Sequence, residues 1–262
     1  MNQIIKYPRT QHIEGSRLQI GDEDLTSVPF LSIANRFLVV EEKLDGANSG
    51  ISFNEKELLL QSRGHYLTGG YRERHFNLLK TWATMFSRGL YEILGHRYIM
   101  YGEWMYAKHT VFYDCLPHYF MEFDVYDKER MVFLSTEERR KLISGVDFIK
   151  PVPVLFMGIL KTLDELMSYL VTSLYKTENW RKNLRNLCER DNLDYELALC
   201  QTDDSDMAEG LYIKDEEDNI VKGRYKFVRT EFLSQVVTSG SHWLDRPIIP
   251  NLMVEGGSIW TF

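Results

Sequence analysis

Apolar residues recur along this chain in two rhythms, and the change from one to the other marks its elements. The run Phe37-Leu38-Val39-Val40 predicts a buried strand over residues 37–43. Residues 49–54 and 58–63 flank Asn54-Glu55-Lys56-Glu57 and predict a hairpin. From Glu73 to Leu94 the spacing becomes three and four, through Phe76, Leu79, Trp82, Phe86, Leu90 and Ile93. That spacing predicts an amphipathic helix, closed by Gly95. Aromatic-rich segments at Arg97–Tyr106 and Phe120–Asp127 read as central strands, and Val152–Gly158 as another. Ser135 with Glu138, and Thr162 with Glu165, have the spacing of helix-opening capping boxes, and 162–190 is expected to be largely helical. Residues 208–214 and 220–228 predict a second hairpin turning at Asp218-Asn219. Strands dominate with helices around them, so the expected class is α+β, antiparallel sheets flanked by helices.

Composition narrows this picture little. A length of 262 residues suits one large or two small domains. No apolar run approaches the roughly 20 residues needed to cross a bilayer, and the N-terminus lacks the apolar core of a secretion signal. Cys115, Cys188 and Cys200 are widely spaced and read as reduced thiols, so a cytoplasmic location without membrane attachment is expected. The seven histidines show no zinc-ligand spacing. The net charge of −7 excludes a large DNA-coating surface. It leaves room for a small basic site, because charge acts locally and basic residues gather at Arg63–Arg74 and Lys222–Arg229.

The chemistry lies in short segments at strand ends. In Glu42-Lys43-Leu44-Asp45-Gly46-Ala47-Asn48 one lysine stands between an acidic residue and a tight turn, well placed for a nucleophile. Alone this means little. In order, however, follow SRG at 62–64, YGEW at 101–104, EFDVYD at 122–127, EGLYIK at 209–214 and GRYKFVR at 223–229. This ordered set resembles the covalent nucleotidyltransferase superfamily, and within it the ATP-dependent RNA ligases. Aspartate at Asp45 departs from RNA ligases with histidine there but is usual across the superfamily.

The resemblance implies that Lys43 attacks the α-phosphate of ATP to form lysyl-AMP. An unperturbed lysine, with a pKa near 10.4, is neutral in only about one molecule per thousand at neutral pH. The site is therefore expected to favour the free amine through cations such as Lys226 and a bound metal. Glu103 and Glu209 are carboxylates within apolar strands, costly there unless they meet a cation or a donor. They are expected to face the nucleotide, Glu103 at the ribose and Glu209 supporting lysine and metal, and together to hold Mg²⁺ or Mn²⁺ directly or through water. Phe123 is expected to stack on adenine. Arg63 suits a phosphate of the nucleotide or the RNA end, and Asn48 the ribose or a phosphate. Glu42, beside the nucleophile, is a further nucleotide-binding candidate. Lys222, Arg224 and Lys226 alternate along one strand and are expected to gather on one side around the α-phosphate. Where the family has Lys-x-Lys, this chain has Arg224-x-Lys226.

His12, Gly15, Ser16 and Arg17 form a polar loop upstream of the nucleophile that is a candidate to close over the nucleotide. The basic residues Arg181, Lys182, Arg185 and Arg190 read as a solvated helix face. The expected architecture is one nucleotidyltransferase domain over 1–262, with a helical insertion at about 160–200 and a short tail at about 230–262. Trp243, Trp260 and Phe262 in that tail are expected to pack on the core. Only 36 residues follow Lys226, so no OB-fold domain is expected, which disfavours a DNA ligase or a GTP-dependent capping guanylyltransferase. A non-catalytic RNA-end-binding subunit is disfavoured by the intact Lys43, Glu103, Glu209 and Lys226. The expected function is sealing of RNA 3′-hydroxyl and 5′-phosphate ends in RNA repair, alongside a separate end-healing kinase or phosphatase.

Overall fold

The computed structural model describes residues 4–18, 26–55, 57–238 and 246–261. Two short strands come first, β1 (Gln11–Ile13) and β2 (Ser27–Val28), followed by β3 (Phe37–Lys43), β4 (Ala47–Asn54) and β5 (Glu57–Ser62). Helices α1 (Asn77–Met85) and α2 (Ser87–Leu94) lead into β6 (Tyr98–Trp104) and β7 (Phe120–Asp127). Next are β8 (Val132–Phe133), α3 (Thr136–Leu142), β9 (Lys150–Pro151) and β10 (Val154–Ile159). Helices α4 (Leu163–Met167), α5 (Trp180–Arg190) and α6 (Tyr195–Cys200) precede the hairpin β11 (Gly210–Glu217) and β12 (Ile220–Val228), and α7 (Thr230–Thr238) follows.

The strands form two six-stranded sheets, in the orders β10-β3-β11-β12-β1-β2 and β5-β4-β6-β7-β8, with β9 beside β7. Most pairs are antiparallel; β1 runs parallel to both β12 and β2, and β9 parallel to β7. The chain crosses from the first sheet to the second within the turn Leu44-Asp45-Gly46, directly after Lys43. Each sheet buries one face in its own core. Leu38, Val40, Leu211, Ile213 and Ile13 share one cluster, while Ile51, Met100 and Trp104 join α1 and α2 in another. By strand alternation the opposite faces look toward each other, and the nucleophile strand presents Lys43 there. Tyr7, Tyr101 and Ile99, with Phe123 and Tyr212 against them, fill the floor between the sheets.

Several expectations hold with their reasons visible. Ser135 Oγ accepts the Glu138 backbone N–H at 3.3 Å, and Thr162 Oγ1 accepts that of Glu165 at 3.2 Å, so both caps form. Asp218 and Asn219 adopt φ of 54° and 62°, the mirror-turn geometry suited to a two-residue hairpin. Others need correction. The helix expected over Glu73–Leu94 begins as a 3₁₀ turn and breaks at Phe86, whose ring stacks on Phe148 at 4.7 Å. The segment 162–190 is helical only at its two ends, because residues 168–179 run as bends and turns that carry Ser173 and Tyr175 inward. His12 lies not in a loop but on β1. The tail docks chiefly through Asn251, whose Oδ1 accepts Tyr113 N–H at 2.9 Å and whose Nδ2 donates to the Met105 carbonyl at 2.7 Å. Ile259 is buried, Trp260 is partly exposed, and Trp243 and Phe262 lie outside the described residues.

Candidate active site

Lys43 ends β3 and donates from Nζ to Glu209 Oε1 at 2.6 Å. Glu209 immediately precedes β11, whose Gly210 pairs in register with Lys43 and with Val228 of β12. Gly210 has no room for a side chain, since a Cβ there would lie 1.8 Å from the Phe227 carbonyl oxygen. This close approach brings the Glu209 carboxylate against the lysine. From the second sheet, Asn48 on β4 and Glu103 on β6 are register partners and share a face. Asn48 Oδ1 is buried without a hydrogen-bond partner, an acceptor waiting for a donor. Glu103 Oε1 accepts the Gly46 N–H at 3.2 Å and so touches the nucleophile's own turn.

The same turn is fixed by a loop absent from the sequence reading. Asp45 accepts the N–H groups of Thr110 and Val111, each at 2.7 Å, and its own N–H donates to Tyr113 Oη at 2.9 Å. Asp45 is thus a structural lock for the nucleophile's turn, and its spacing alone carried no sign of that partner loop.

The electrostatics run opposite to the expectation for Lys43. Burial by itself would lower the amine's pKa, but Glu209, then Glu103 and Asp45, outweigh it and raise the pKa. The ligand-free site therefore holds an ammonium. The carboxyls respond in kind. Burial, partly offset by Lys43, pushes Glu209 up to about 7 and Glu103 to about 8. Among the described residues no three potential metal-ligating side chains cluster closely enough to form a protein-only cage. Two buried, mutually repelling carboxyls beside a lysine are nonetheless hard oxygen donors that fit a Mg²⁺ or Mn²⁺ completed by waters and phosphate. Glu103 and Glu209 would hold it.

Of the three alternating cations, only Lys226 keeps the expected place. It is buried, and its charge bears on Glu209. Lys222 is the extra residue of a bulge opposite Asp215 and Glu216, which breaks the alternation, and it pairs with Asp218 at 3.4 Å. Arg224 is committed elsewhere. Its Nε donates to Asp124 at 3.0 Å, and its guanidinium lies 3.7 Å from the Phe133 ring centre. Glu42 is not brought to the cluster either. Adjacent strand residues face opposite ways, and the Glu42 carboxylate accepts from Ser173 Oγ at 2.5 Å and from Leu174 N at 3.1 Å. It anchors the insertion instead. Arg63 is exposed just past β5, whose last residue, Ser62, pairs with Ser49 beside Asn48. Phe123 is the extra residue of a bulge in β7 between the register pairs of Tyr101 and Gly102. The bulge turns its half-buried ring toward Tyr7, at 5.1 Å, and Tyr212, at 6.4 Å.

Beneath the site runs a buried ionic network that the motifs did not disclose. Arg139 of α3 pairs with Glu41 of β3 and, at 2.6 Å, with Glu122 of β7. Lys214 of β11 lies 2.9 Å from Glu41 and 3.4 Å from Asp124, and donates to the Phe123 carbonyl. Tyr7 Oη donates to Asp124 at 2.5 Å. The network ties the nucleophile's strand to the strand that carries Phe123. Glu41, Glu122, Asp124 and Lys214 sit inside or next to the segments the motifs span, whereas Arg139 and Tyr7 lie well outside them in the chain, and only the fold shows that they meet.

Comparison with curated protein sequences finds no match. Among solved structures, a lysine-to-alanine mutant of Naegleria gruberi RNA ligase with ATP and Mn superposes with a TM-score of 0.54 at 17% identity. That match covers 88% of this chain and 58% of the other. A second lysine-to-alanine mutant of that ligase with ATP and Mn gives 0.52 at 16% identity, over 91% and 64% of the two chains. An aspartate-to-alanine mutant of it without ligand gives 0.54 at 16% identity, over 88% and 57%. The chain thus spans less than two thirds of the length of these structures, and at such identities the likeness is one of fold. The family model described as RNA ligase matches residues 36–228, a span that holds Lys43, Glu103, Glu209 and Lys226. The chain belongs to the RNA ligase family.

Proposed function

We propose that the protein is an ATP-dependent RNA ligase that joins RNA 3′-hydroxyl and 5′-phosphate ends through lysyl-AMP. The observation that carries this reading is the Lys43 amine 2.6 Å from Glu209, between two sheets that bring Glu103 and Lys226 to the same site. The ATP and Mn bound by the structurally similar ligase mutants support the choice of nucleotide and a divalent ion.

In the first step Lys43 Nζ forms a bond to the α-phosphorus of ATP as the bond to pyrophosphate breaks. Glu209, in hydrogen-bond contact with Nζ, is the acceptor for the proton the amine must lose. Glu103 and Glu209 would hold a divalent ion, which would supply positive charge to offset these carboxylates and the phosphates. Lys226 balances charge on the α-phosphate, while Phe123 stacks on adenine and Asn48 accepts a ribose hydroxyl through its unpaired carbonyl or donates to a phosphate through its amide nitrogen. AMP then passes to the RNA 5′-phosphate, and attack by the 3′-hydroxyl on that phosphate expels AMP. Arg63, exposed beside Asn48's strand, binds the RNA phosphate. The cellular setting is cytoplasmic RNA repair with a separate end-healing kinase or phosphatase.

Incubation with labelled ATP or GTP and Mg²⁺, followed by denaturing electrophoresis and then by ligation of nicked RNA, tests the reading. ATP should label the protein and the labelled protein should seal RNA. Labelling by GTP alone, or sealing of nicked DNA but not RNA, would overturn it.

A further inference from the structure

Phe123 needs a support that its own strand does not give it. As the extra residue of the β7 bulge it has no register partner on β6, β8 or β9, so the ladder does not set its direction. Its carbonyl accepts from Lys214, which fixes the backbone but not the ring. The ring is half-buried, which leaves part of it open to a ligand. The contact that orients it comes from Tyr7, in the segment before β1. The two ring centres lie 5.1 Å apart with planes at 76°, the edge-to-face arrangement that aromatic pairs favour.

Tyr7 is itself fastened to both sheets. Its ring packs on Tyr101 at 5.1 Å and on Phe133 at 5.7 Å. Burial alone would raise the Asp124 carboxyl, but Arg224 and Lys214 outweigh it and lower it, so the carboxylate can only accept. Tyr7 Oη therefore gives its one proton to Asp124, at 2.5 Å. Tyr212 Oη, 2.5 Å away, must then donate to Tyr7, and Thr10 Oγ1, 3.1 Å from Tyr212 Oη, to Tyr212. This hydroxyl chain runs one way, from Thr10 to Asp124, and joins β11 of the first sheet to β7 of the second. On the other side of Tyr7, the Ile5 carbonyl accepts from Gln61 Nε2 at 2.9 Å and from Tyr101 Oη at 2.8 Å. Residues 5–10 thus bridge the two sheets, with Tyr7 set against Phe123.

We propose that Tyr7 is the positioning residue for Phe123, holding its ring in the place where it stacks on the adenine of ATP. The proposal rests on the reading of Phe123 as the stacking ring, and its test separates the two. KM for ATP and kcat of lysyl-AMP formation are measured with labelled ATP for wild type, Y7L, Y7F, F123L and the double variant Y7L/F123L, with a thermal melt of each. F123L should raise KM about tenfold, as for loss of one base–aromatic stack. Y7L should raise KM about fivefold, the size of one aromatic pair, with kcat within about twofold of wild type. A merely structural loss would instead lower the active fraction and so kcat. Y7F keeps the ring and loses the hydroxyl, so it should melt lower yet keep KM within about twofold of wild type. In the F123L background Y7L should change KM by less than about twofold, because its effect passes through the missing ring. An unchanged KM in Y7L, a Y7F as defective as Y7L, or an undiminished rise in the F123L background overturns the proposal. An unchanged KM in F123L sinks the stacking reading, and a wild type that never labels sinks nucleotidyl transfer itself. Should Y7L fail to fold, adenylated wild-type protein with ¹³C-labelled aromatic rings is examined by NMR. Nuclear Overhauser contacts from the Phe123 ring to both Tyr7 and adenine support the proposal. A contact to adenine without one to Tyr7 overturns it, and no contact to adenine sinks the stacking reading.

Discussion

Replacing Arg139 with methionine tests the ionic network beneath the site. Arg139 is fully buried and its guanidinium serves Glu41 and Glu122, both also buried. Methionine roughly keeps the volume but leaves Glu122 without its ion-pair partner and Glu41 with Lys214 alone. Removing one member of a buried ionic group costs about 3–5 kcal/mol, chiefly because the remaining charge is stranded in low dielectric. At about 2–4 °C per kcal/mol for a chain of this size, the melting temperature should fall by roughly 10 °C. The loss should depend on pH. Burial already raises the Glu122 carboxyl, against the opposing pull of Arg139 and Lys214, and without Arg139 it should rise further. An acid raised above its unfolded pKa favours the fold in its neutral form. Its contribution is full below the unfolded value of about 4.5 and is lost as pH climbs through the folded value. The Met variant should therefore be closest to wild type near pH 5 and furthest from it near pH 8. Thermal melts of both proteins across that range read this directly. A variant as stable as wild type at pH 8, or a deficit that grows on acidification, would refute the reasoning.

Two further substitutions follow from the site. Glu103 and Glu209, raised to about 8 and about 7, favour the fold when protonated, so the ligand-free protein should lose stability as pH rises from 6 to 9. Glu103→Gln should flatten that loss in thermal melts, and an unchanged slope would contradict the burial argument. Gly210→Ala must push β11 from β12 beside Glu209, so it should cost about 4 kcal/mol or more in denaturant titration and abolish nucleotide labelling. A near-neutral alanine would show that the strands do not approach so closely.

Much of this was legible in the chain itself, for reasons the structure makes plain. Strands 37–43 and 120–127 lie between neighbours on both sides and so keep the apolar runs that periodicity detects. The order of strand-end motifs located Lys43, Glu103, Glu209 and Lys226, because each sits where a strand delivers its side chain to the space between the sheets. Alternation alone would have separated Glu42 from Lys43, since neighbours in a strand face opposite sides. The positions of Arg224 and Lys222 were not accessible. One depends on Asp124, a hundred residues away, and the other on a bulge that shifts register. The sign of the Lys43 shift was equally hidden, because it depends on how many carboxylates the fold collects around one amine. Asp45's lock and the Arg139 network join segments distant in the chain, which local pattern cannot report. The break at Phe86 leaves the helical spacing intact and is set by packing on Phe148.

The most direct test is peptide mapping by mass spectrometry of the protein after incubation with ATP and a divalent ion. The account predicts adenylate on the peptide containing Lys43 and none in a Lys43→Ala variant that keeps the wild-type melting curve. Adenylate on any other residue, or undiminished modification of the Lys43→Ala variant, would contradict it.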